Sequence, residues 1–210
     1  MRRLPWLALI GGLLIGPATA AAQPQAIWGA FAGPSTSHLR YGGHASSHYR
    51  HHAVTGGFSL RVRVWPGMSL AGNLLYSAKG YTQPDASIES SYLELPVVFL
   101  IELAHTRRRV QPFFGAGFAP AVRLACEREI LTISGPHADD CATSQAAGLI
   151  LAGLRGWDLG LDARAGLRVR LGPGAAALEG RATWGVINLE AGRGTRNRFS
   201  ALTLGYEWSR

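Results

Sequence analysis

The sequence is short of charge, of cysteine and of long apolar runs. Charged residues make up 16% of the 210 residues, well below the ordinary share of about a quarter. Beyond the N-terminal segment no coherent amphipathic helix pattern appears, whereas glycine is abundant at 27 residues. These absences argue against a helical protein and favour a β-protein whose apolar surface is spread thinly along many strands.

The first residues have the pattern of an export signal. Arg2 and Arg3 precede the apolar stretch LPWLALIGGLLIG, and the small residues of PATAAAQ follow it, with cleavage expected after Ala20 or Ala22. The alternative is a membrane anchor, but a spanning helix needs about 20 apolar residues. The sequence therefore predicts a signal peptide over residues 1–22 and a single domain over residues 23–210.

The exported chain has two cysteines, Cys126 and Cys141, on either side of a polar stretch. An even number of cysteines in an oxidising compartment predicts a disulfide. Closing a loop of about 15 residues removes about 3 kcal/mol of unfolded-state entropy in the chain-entropy model. Two free or metal-binding thiols are the alternative.

Apolar and polar residues alternate with period two along most of the chain, which is the pattern of strands with two unlike faces. Eight segments show it: 26–33, 54–65, 68–80, 92–103, 110–124, 157–171, 176–187 and 198–209. Pro96 and Pro112 interrupt two of them, and a bulge or a strand end is expected there because proline cannot donate to the ladder.

The predicted connections alternate between long and short. The long ones are 34–53, 81–90, 125–156 and 190–197, and the short ones are 66–67, 104–109 and 172–175. In an up-and-down meander, all long connections then lie at one end of a barrel. Outer-membrane barrels have this asymmetry, with short periplasmic turns and longer external loops.

The charged residues on the polar strand faces have mixed signs and are interleaved with glycines, as a narrow filled lumen requires. Aromatic residues near strand ends form candidate interfacial girdles: Trp65, Tyr76, Trp157, Trp184, Tyr206 and Trp208. We therefore predict an all-β, eight-stranded antiparallel up-and-down transmembrane β-barrel, with a soluble exported ligand-binding barrel as the alternative. The predicted lumen charges are Arg61, Arg63, Lys79, Glu94, Glu102, Asp158, Asp162, Arg164, Arg168, Arg170, Glu179, Arg181 and Glu207.

Several segments, in order, resemble the outer-membrane β-barrel family of the porin / PorT type. They are YSAKGY (76–81), YLELPVVFLIEL (92–103), PFFGAGFAPAVRL (112–124), DLGLDARAGLRV (158–169) and NRFSALTLGYEW (197–208). The resemblance covers most of the exported chain. It implies a small eight-stranded barrel in a bacterial outer membrane, of the OmpA- and OmpX-like size, from a family mostly without assigned activity.

The predicted loop 34–53 holds five of the seven histidines. His48, His51 and His52 are close enough in sequence to share Zn²⁺, Cu²⁺ or Ni²⁺, since imidazole suits these ions, and a solvated loop is the alternative. His44 and Ser46 suggest a deacylase acting on lipid A, but no carboxylate that could orient the base is evident. We predict no catalytic residue and no cofactor.

The expected partners are outer-membrane lipid and an extracellular or envelope protein. The basic excess lacks an aromatic–basic stripe or a recognition helix, which argues against nucleic acid. Eight strands leave an interior just wide enough for side chains to fill, so we predict a lumen plugged by the mixed charges. We also predict a monomer with a structural or surface-interaction role. A narrow porin or a transport-associated barrel is the alternative.

Overall fold

The computed structural model describes residues 26–41, 44–45, 50–82, 86–103, 109–132, 135–140, 155–189 and 195–209. The predicted signal peptide lies outside these residues and stays a prediction. The described strands are β1 (Ala26–Tyr41), β2 (His44–Ala45), β3 (His51–Trp65), β4 (Met68–Thr82), β5 (Ala86–Glu94), β6 (Val97–Glu102), β7 (Val110–Thr132), β8 (Gly135–Asp140), β9 (Trp157–Leu171), β10 (Gly174–Gly185) and β11 (Arg196–Ser209).

Eight strand positions form a closed antiparallel ring, which confirms the predicted barrel. The order is β1, β3, β4, β5 with β6, β7, β9, β10 and β11, and β11 pairs with β1 to close it. β5 and β6 together occupy one position in the ring, because both pair with β4 in the same register. Leu75 of β4 pairs with Glu94, and Gly72 pairs with Val97. β2 and β8 pair only with β1 and β7 beyond the ring.

The strands are staggered by ten residues around the ring. Directly paired residues lead from Trp28 through Leu60, Gly72, Val97, Phe118, Leu161, Trp184 and Arg198 back to β1 at His38, ten residues further along. Such a stagger goes with a strand tilt of about 40°, so ten residues climb about 25 Å along the barrel axis.

The outer face of the ring is apolar. Phe58 and Leu204 are each 64% exposed, whereas Glu94 on the inner face is completely buried. On β9, Leu161 and Leu167 lie outside and Asp162 and Arg168 inside. The apolar side chains therefore face outward to lipid and the charged side chains face inward to a polar lumen, which is the reverse of a water-soluble barrel.

One end of the barrel, called here the turn end, holds the two described tight turns. Pro66-Gly67 joins β3 to β4, and Gly172-Pro173 joins β9 to β10. Gly67 and Gly172 have φ values of 79° and 59°, which glycine adopts without strain. The opposite end is called the loop end.

The two prolines that interrupt the pattern are accommodated differently. Pro96 lies in the break between β5 and β6, where its carbonyl still accepts a hydrogen bond from the backbone N–H of Asn73 at 3.0 Å. Pro112 lies within β7 near the turn end, and its carbonyl accepts from the Leu103 amide at 2.9 Å. Proline thus costs one donor in each case while its acceptor stays in the ladder.

The strands run further toward the loop end than predicted, so three of the predicted loops were too long. β1 continues to Tyr41 and β3 begins at His51, although 34–53 was predicted as a loop. β4 and β5 leave only 83–85 between them, and β7 extends to Thr132. Beyond the lipid band the outer face is mostly polar and the inner face holds only isolated apolar residues such as Leu39 and Ile88, so the backbone ladder continues without a sustained apolar alternation to reveal it.

At the loop end the β4–β5 hairpin lies against the inner face of the β1–β3 hairpin. The Ser37 hydroxyl accepts from the Gly80 amide at 2.8 Å, and the His51 ring lies within 3.9 Å of the Glu89 carboxylate. Ala78, which alternates onto the outer face of β4, is only 6% exposed. The β4–β5 hairpin therefore leans into the barrel mouth and narrows it.

Among the described residues, no helix is both long and apolar enough to cross a membrane.

Candidate functional site in the barrel lumen

Eleven of the thirteen predicted lumen charges lie inside the ring. Nine of them are at most 7% exposed: Arg61, Lys79, Glu94, Glu102, Asp158, Asp162, Arg164, Arg168 and Arg181. The side chains of Glu179 and Glu207 are 18% and 13% exposed. Arg63 and Arg170 alternate onto the same inner face but lie at the turn end, where Arg170 is exposed. Of these eleven residues, five are cations and six are carboxylates.

Two arginines and two glutamates form a closed cluster nearer the turn end. Arg61 donates to Glu102 and, at 2.6 Å, to Glu207. Arg168 donates to the same two carboxylates, at 3.0 Å to Glu207 and 3.4 Å to Glu102. The Ser69 hydroxyl adds a bond of 3.2 Å to Glu102. Each charge has two opposite neighbours, which offsets much of the cost of burial.

A second cluster lies toward the loop end and is centred on Arg181. Its Nε donates to Asp162 and its Nη2 donates to Glu94 at 2.9 Å. Asp162 also accepts from Arg164 Nε at 2.6 Å, and Lys79 Nζ lies 2.7 Å from Glu94. Three cations and two carboxylates on four strands of the ring are thus joined across the lumen.

Further polar groups extend this second cluster. Arg164 Nη1 lies 3.4 Å from Glu179 and, with the Asn73 amide oxygen turned toward it, donates to that oxygen at 2.8 Å. Asp158 accepts from the Asn197 amide at 2.8 Å. Hydrogen bonds to neutral side chains satisfy lone pairs that the ion pairs leave over.

Aromatic rings also face the lumen cations. Lys79 Nζ lies 5.1 Å from the centre of the Tyr92 ring and 5.5 Å from that of Phe199. The Arg168 guanidinium stacks 3.8 Å from the centre of the Phe113 ring. Gly166 makes room for Phe113, because a Cβ there would lie 2.6 Å from the ring. Ring faces attract cations in water-poor surroundings.

The lumen contains an apolar cluster that sequence reasoning missed. Ala71, Val98, Leu100 and Phe113 pack together, and all are at most 4% exposed. The signal was present in the sequence, because residues 97–101 contain no polar residue. Such a run is apolar on both faces of a strand, whereas strict alternation would have one polar face.

A cavity of about 40 Å³ lies between the two charge clusters, with Arg61, Arg168 and Glu207 on one side and Arg164 and Glu179 on the other. This volume holds a few water molecules at most, since each needs roughly 10–15 Å³.

The predicted metal and disulfide residues are only partly described. His51 and His52 are neighbours on β3, where His51 is turned toward Glu89 and His52 is exposed on the outer face. Successive strand residues point to opposite faces, which weighs against one ion shared by these two.

His48, Cys141 and Ser46 lie outside the described residues, and so does the side chain of His44. Cys126 is buried and accepts from the Ser90 hydroxyl at 3.0 Å. The metal site, the disulfide and the deacylase pair therefore stay predictions.

A protein-family model described as "Outer membrane protein beta-barrel domain" matches residues 21–190. No curated protein sequence matches the chain significantly.

Solved structures of outer-membrane barrels are similar to the chain in fold. Neisserial surface protein A (NspA) has a TM-score of 0.52 at 10% identity, with 87% of this chain and 97% of that chain covered. Ail, the attachment invasion locus protein of Yersinia pestis, has a TM-score of 0.47 at 10% identity, covering 88% and 99%. The N-terminal β-barrel domain of Pseudomonas aeruginosa OprF has a TM-score of 0.45 at 12% identity, covering 89% and 98%. Identities this low show the fold alone.

Proposed function

The chain belongs to the family of outer membrane proteins with a β-barrel domain and lies in the bacterial outer membrane, and from this premise we propose that it is a closed barrel that presents its loop end to partners, rather than a pore. The finer assignment to the porin / PorT type stays a prediction.

The observation that carries the closed lumen is the pair of charge clusters. Arg181 bridges Asp162 on β9 and Glu94 on β5, and Arg61 bridges Glu102 on β6 and Glu207 on β11. Removing these side chains from the lumen axis would break several charge-assisted hydrogen bonds at once. The apolar cluster adds to the obstruction, and the cavity of about 40 Å³ between the charge clusters is too small to form a continuous path.

The test is conductance of the full-length mature chain in a planar lipid bilayer. We expect no steady open level, with at most brief events. Glu94→Gln combined with Glu102→Gln removes a carboxylate from each cluster and is expected to raise the frequency of brief openings. A large, steady conductance of the unmodified chain would contradict the closed barrel and support the alternative, a narrow porin or transport-associated barrel.

The loop-end role is supported by strand length. β7 has 23 residues, about twice the 9–11 that a spanning strand needs, and its far end pairs with β8. We propose an extracellular or envelope protein as the partner. Cells displaying a chain with residues 128–139 replaced by a short turn are expected to adhere less to immobilised extracellular proteins, and equal adhesion would contradict this role.

We also propose that the barrel is not an enzyme. Among the described residues no three histidine, cysteine, aspartate or glutamate side chains cluster as a metal site, and the charges of the lumen are engaged with one another. Mass spectra of lipid A from cells with and without the protein are expected to be identical. A lost acyl chain would contradict the proposal.

A further inference from the structure

The outer face of three adjacent strands changes character toward the loop end. On β11, β1 and β3 the side chains are apolar up to Leu202, Pro34 and Val54, and hydroxyls follow at Ser200 and Thr36. Beyond them the same face carries five basic side chains, called here the basic patch: His38, Arg40, Arg50, Arg196 and Arg198.

Like charges face each other directly in the basic patch. His38 is the cross-strand partner of Arg198, and Arg40 is the partner of Arg196. Residues paired in this way have Cβ atoms about 4.5–5.5 Å apart, and like charges at that separation destabilise a sheet. Burial, and then the charges of Arg198 and Arg50, lower the pKa of His38 from its ordinary value of 6.5.

The strands that carry the patch supply no carboxylate to their outer face. β1, β3 and β11 are fully described and contain one acidic residue, Glu207. Its side chain points into the lumen and bonds to Arg61 and Arg168. The hydrogen bond made by the Arg196 Nε, at 3.3 Å, goes to the neutral Asn188 side chain.

The height of the basic patch along the barrel axis indicates its position relative to the lipid headgroups. The stagger of the barrel places His38 about 25 Å above Trp28 along the axis, and the apolar band of an outer-membrane barrel is about 25 Å tall. Trp28 and Trp208, which pair at the turn end, mark the lower edge of the band. The patch therefore lies where the headgroups of the outer leaflet begin.

The exposed carboxylates of the neighbouring strands at the loop end lie on β5 and β7. Glu89 on β5 pairs directly with Glu127 on β7, and both side chains are exposed. The Glu89 carboxylate turns toward His51 on the inner face of β3, whereas the outer faces of β1, β3 and β11 beyond the lipid band are basic.

We propose that the basic patch binds the phosphate groups of outer-leaflet lipid headgroups. Arg196 and Arg198 supply planar guanidinium groups, which bind phosphate oxygens in pairs, and a bound phosphate offsets the like-charge repulsion between neighbouring strands. The proposal depends on the position of the chain in the membrane and not on the closed lumen, so either can fail without the other.

The test uses the full mature chain in neutral detergent and follows thermal unfolding by heat-modifiability on gels. The probes are bisphosphorylated lipid A, the same glycolipid without phosphates, and inorganic phosphate. The variant is Arg196→Gln with Arg198→Gln, and Arg198→Gln alone is a milder version. Arg109→Gln, which changes an exposed arginine at the turn end, is the matched control.

The expected result is a reversal of sign. In neutral detergent the double variant unfolds at a higher temperature than the unmodified chain, because repulsion is relieved. With bisphosphorylated lipid A the unmodified chain becomes the more stable of the two. The affinity of the double variant for this lipid falls about 25-fold, at about five-fold for each arginine, while Arg109→Gln changes nothing.

Three outcomes would overturn the proposal. The double variant could be less stable in both conditions, which would make the arginines structural. Its affinity for bisphosphorylated lipid A could be unchanged. Inorganic phosphate could stabilise the chain as much as the lipid does at the same phosphate concentration, which would identify a free anion rather than a headgroup.

Discussion

The charges inside the barrel and the charges on its outer face at the loop end are arranged by opposite rules. In the lumen, Arg61 and Arg168 each bond to both Glu102 and Glu207. On the outer face, His38 lies opposite Arg198 on the neighbouring strand. Inside, the chain supplies both signs of these ion pairs, whereas the described outer faces of β1, β3 and β11 carry basic side chains and no carboxylate.

The difference follows from what surrounds each region. A buried charge has no water to solvate it, so its counter-charge must come from the same chain. A charge at the membrane surface can be neutralised by water, by salt or by a headgroup. Self-contained pairing is therefore typical of a plug, and uncompensated charge is typical of a contact surface.

The largest expected effect comes from removing one lumen carboxylate. Glu94→Gln leaves Lys79 and one end of Arg181 without their partner, and we expect a loss of about 3–5 kcal/mol in the free energy of unfolding, because a buried charge is left uncompensated. Urea unfolding in detergent micelles, followed by tryptophan fluorescence, measures it.

Two matched variants isolate the pairing. Lys79→Met together with Glu94→Gln removes both members of one pair and is expected to recover much of the loss. Glu127→Gln removes an exposed carboxylate and is expected to change stability by less than about 0.5 kcal/mol. Equal effects of Glu94→Gln and Glu127→Gln would remove the distinction between lumen and surface.

The next effect concerns the depth at which the outer face tolerates an arginine. Leu161 is outward and lies a little above the middle of the staggered path from Trp28 to His38. Leu161→Arg is expected to cost about 2–4 kcal/mol, and Val186→Arg, higher on the same side, about 0–1 kcal/mol. Refolding equilibria in lipid vesicles measure both, and equal costs would show that the lipid boundary is misplaced.

The smallest effect is a pH dependence from His38. Its pKa in the folded chain is lowered by burial and by Arg198 and Arg50, so below about pH 6.5 the unfolded chain binds more protons. The contribution of His38 to the free energy of unfolding is therefore fully present above about pH 6.5. It falls as the pH drops toward the lowered pKa. Unfolding free energies at pH 7.5 and 5.5 are expected to differ less in His38→Gln than in the unmodified chain, and an unchanged difference would assign the pH dependence elsewhere.

Much of the barrel was predictable because lipid imposes a strict period on the outer face. The alternation in β9 identified which side chains face outward, and the tight turns at Pro66-Gly67 and Gly172-Pro173 were located correctly. The extent of β1, β3 and β7 at the loop end was not predictable. There the ladder rests on backbone hydrogen bonds, which leave no hydrophobic period in the sequence.

The lumen shows the same division at the level of single residues. Mixed charges on the inner face indicated an ionic filling, but they did not show that Arg181 joins Asp162 to Glu94 across the interior. Those residues lie on different strands, and their contact depends on register. The inward Val98 and Leu100 were hidden because their outward neighbours are apolar as well.

By itself, then, the sequence determined which side chains share a face of each strand, since this follows from a period of two along the chain. The alternating loop lengths, the glycines among the charges and the aromatic residues near strand ends then indicated the fold class and which face meets lipid. Only the tertiary structure decided which charges meet. A stagger of ten residues brings His38 beside Arg198 and closes Arg61 onto Glu207, and that stagger is a property of the closed ring rather than of any one strand.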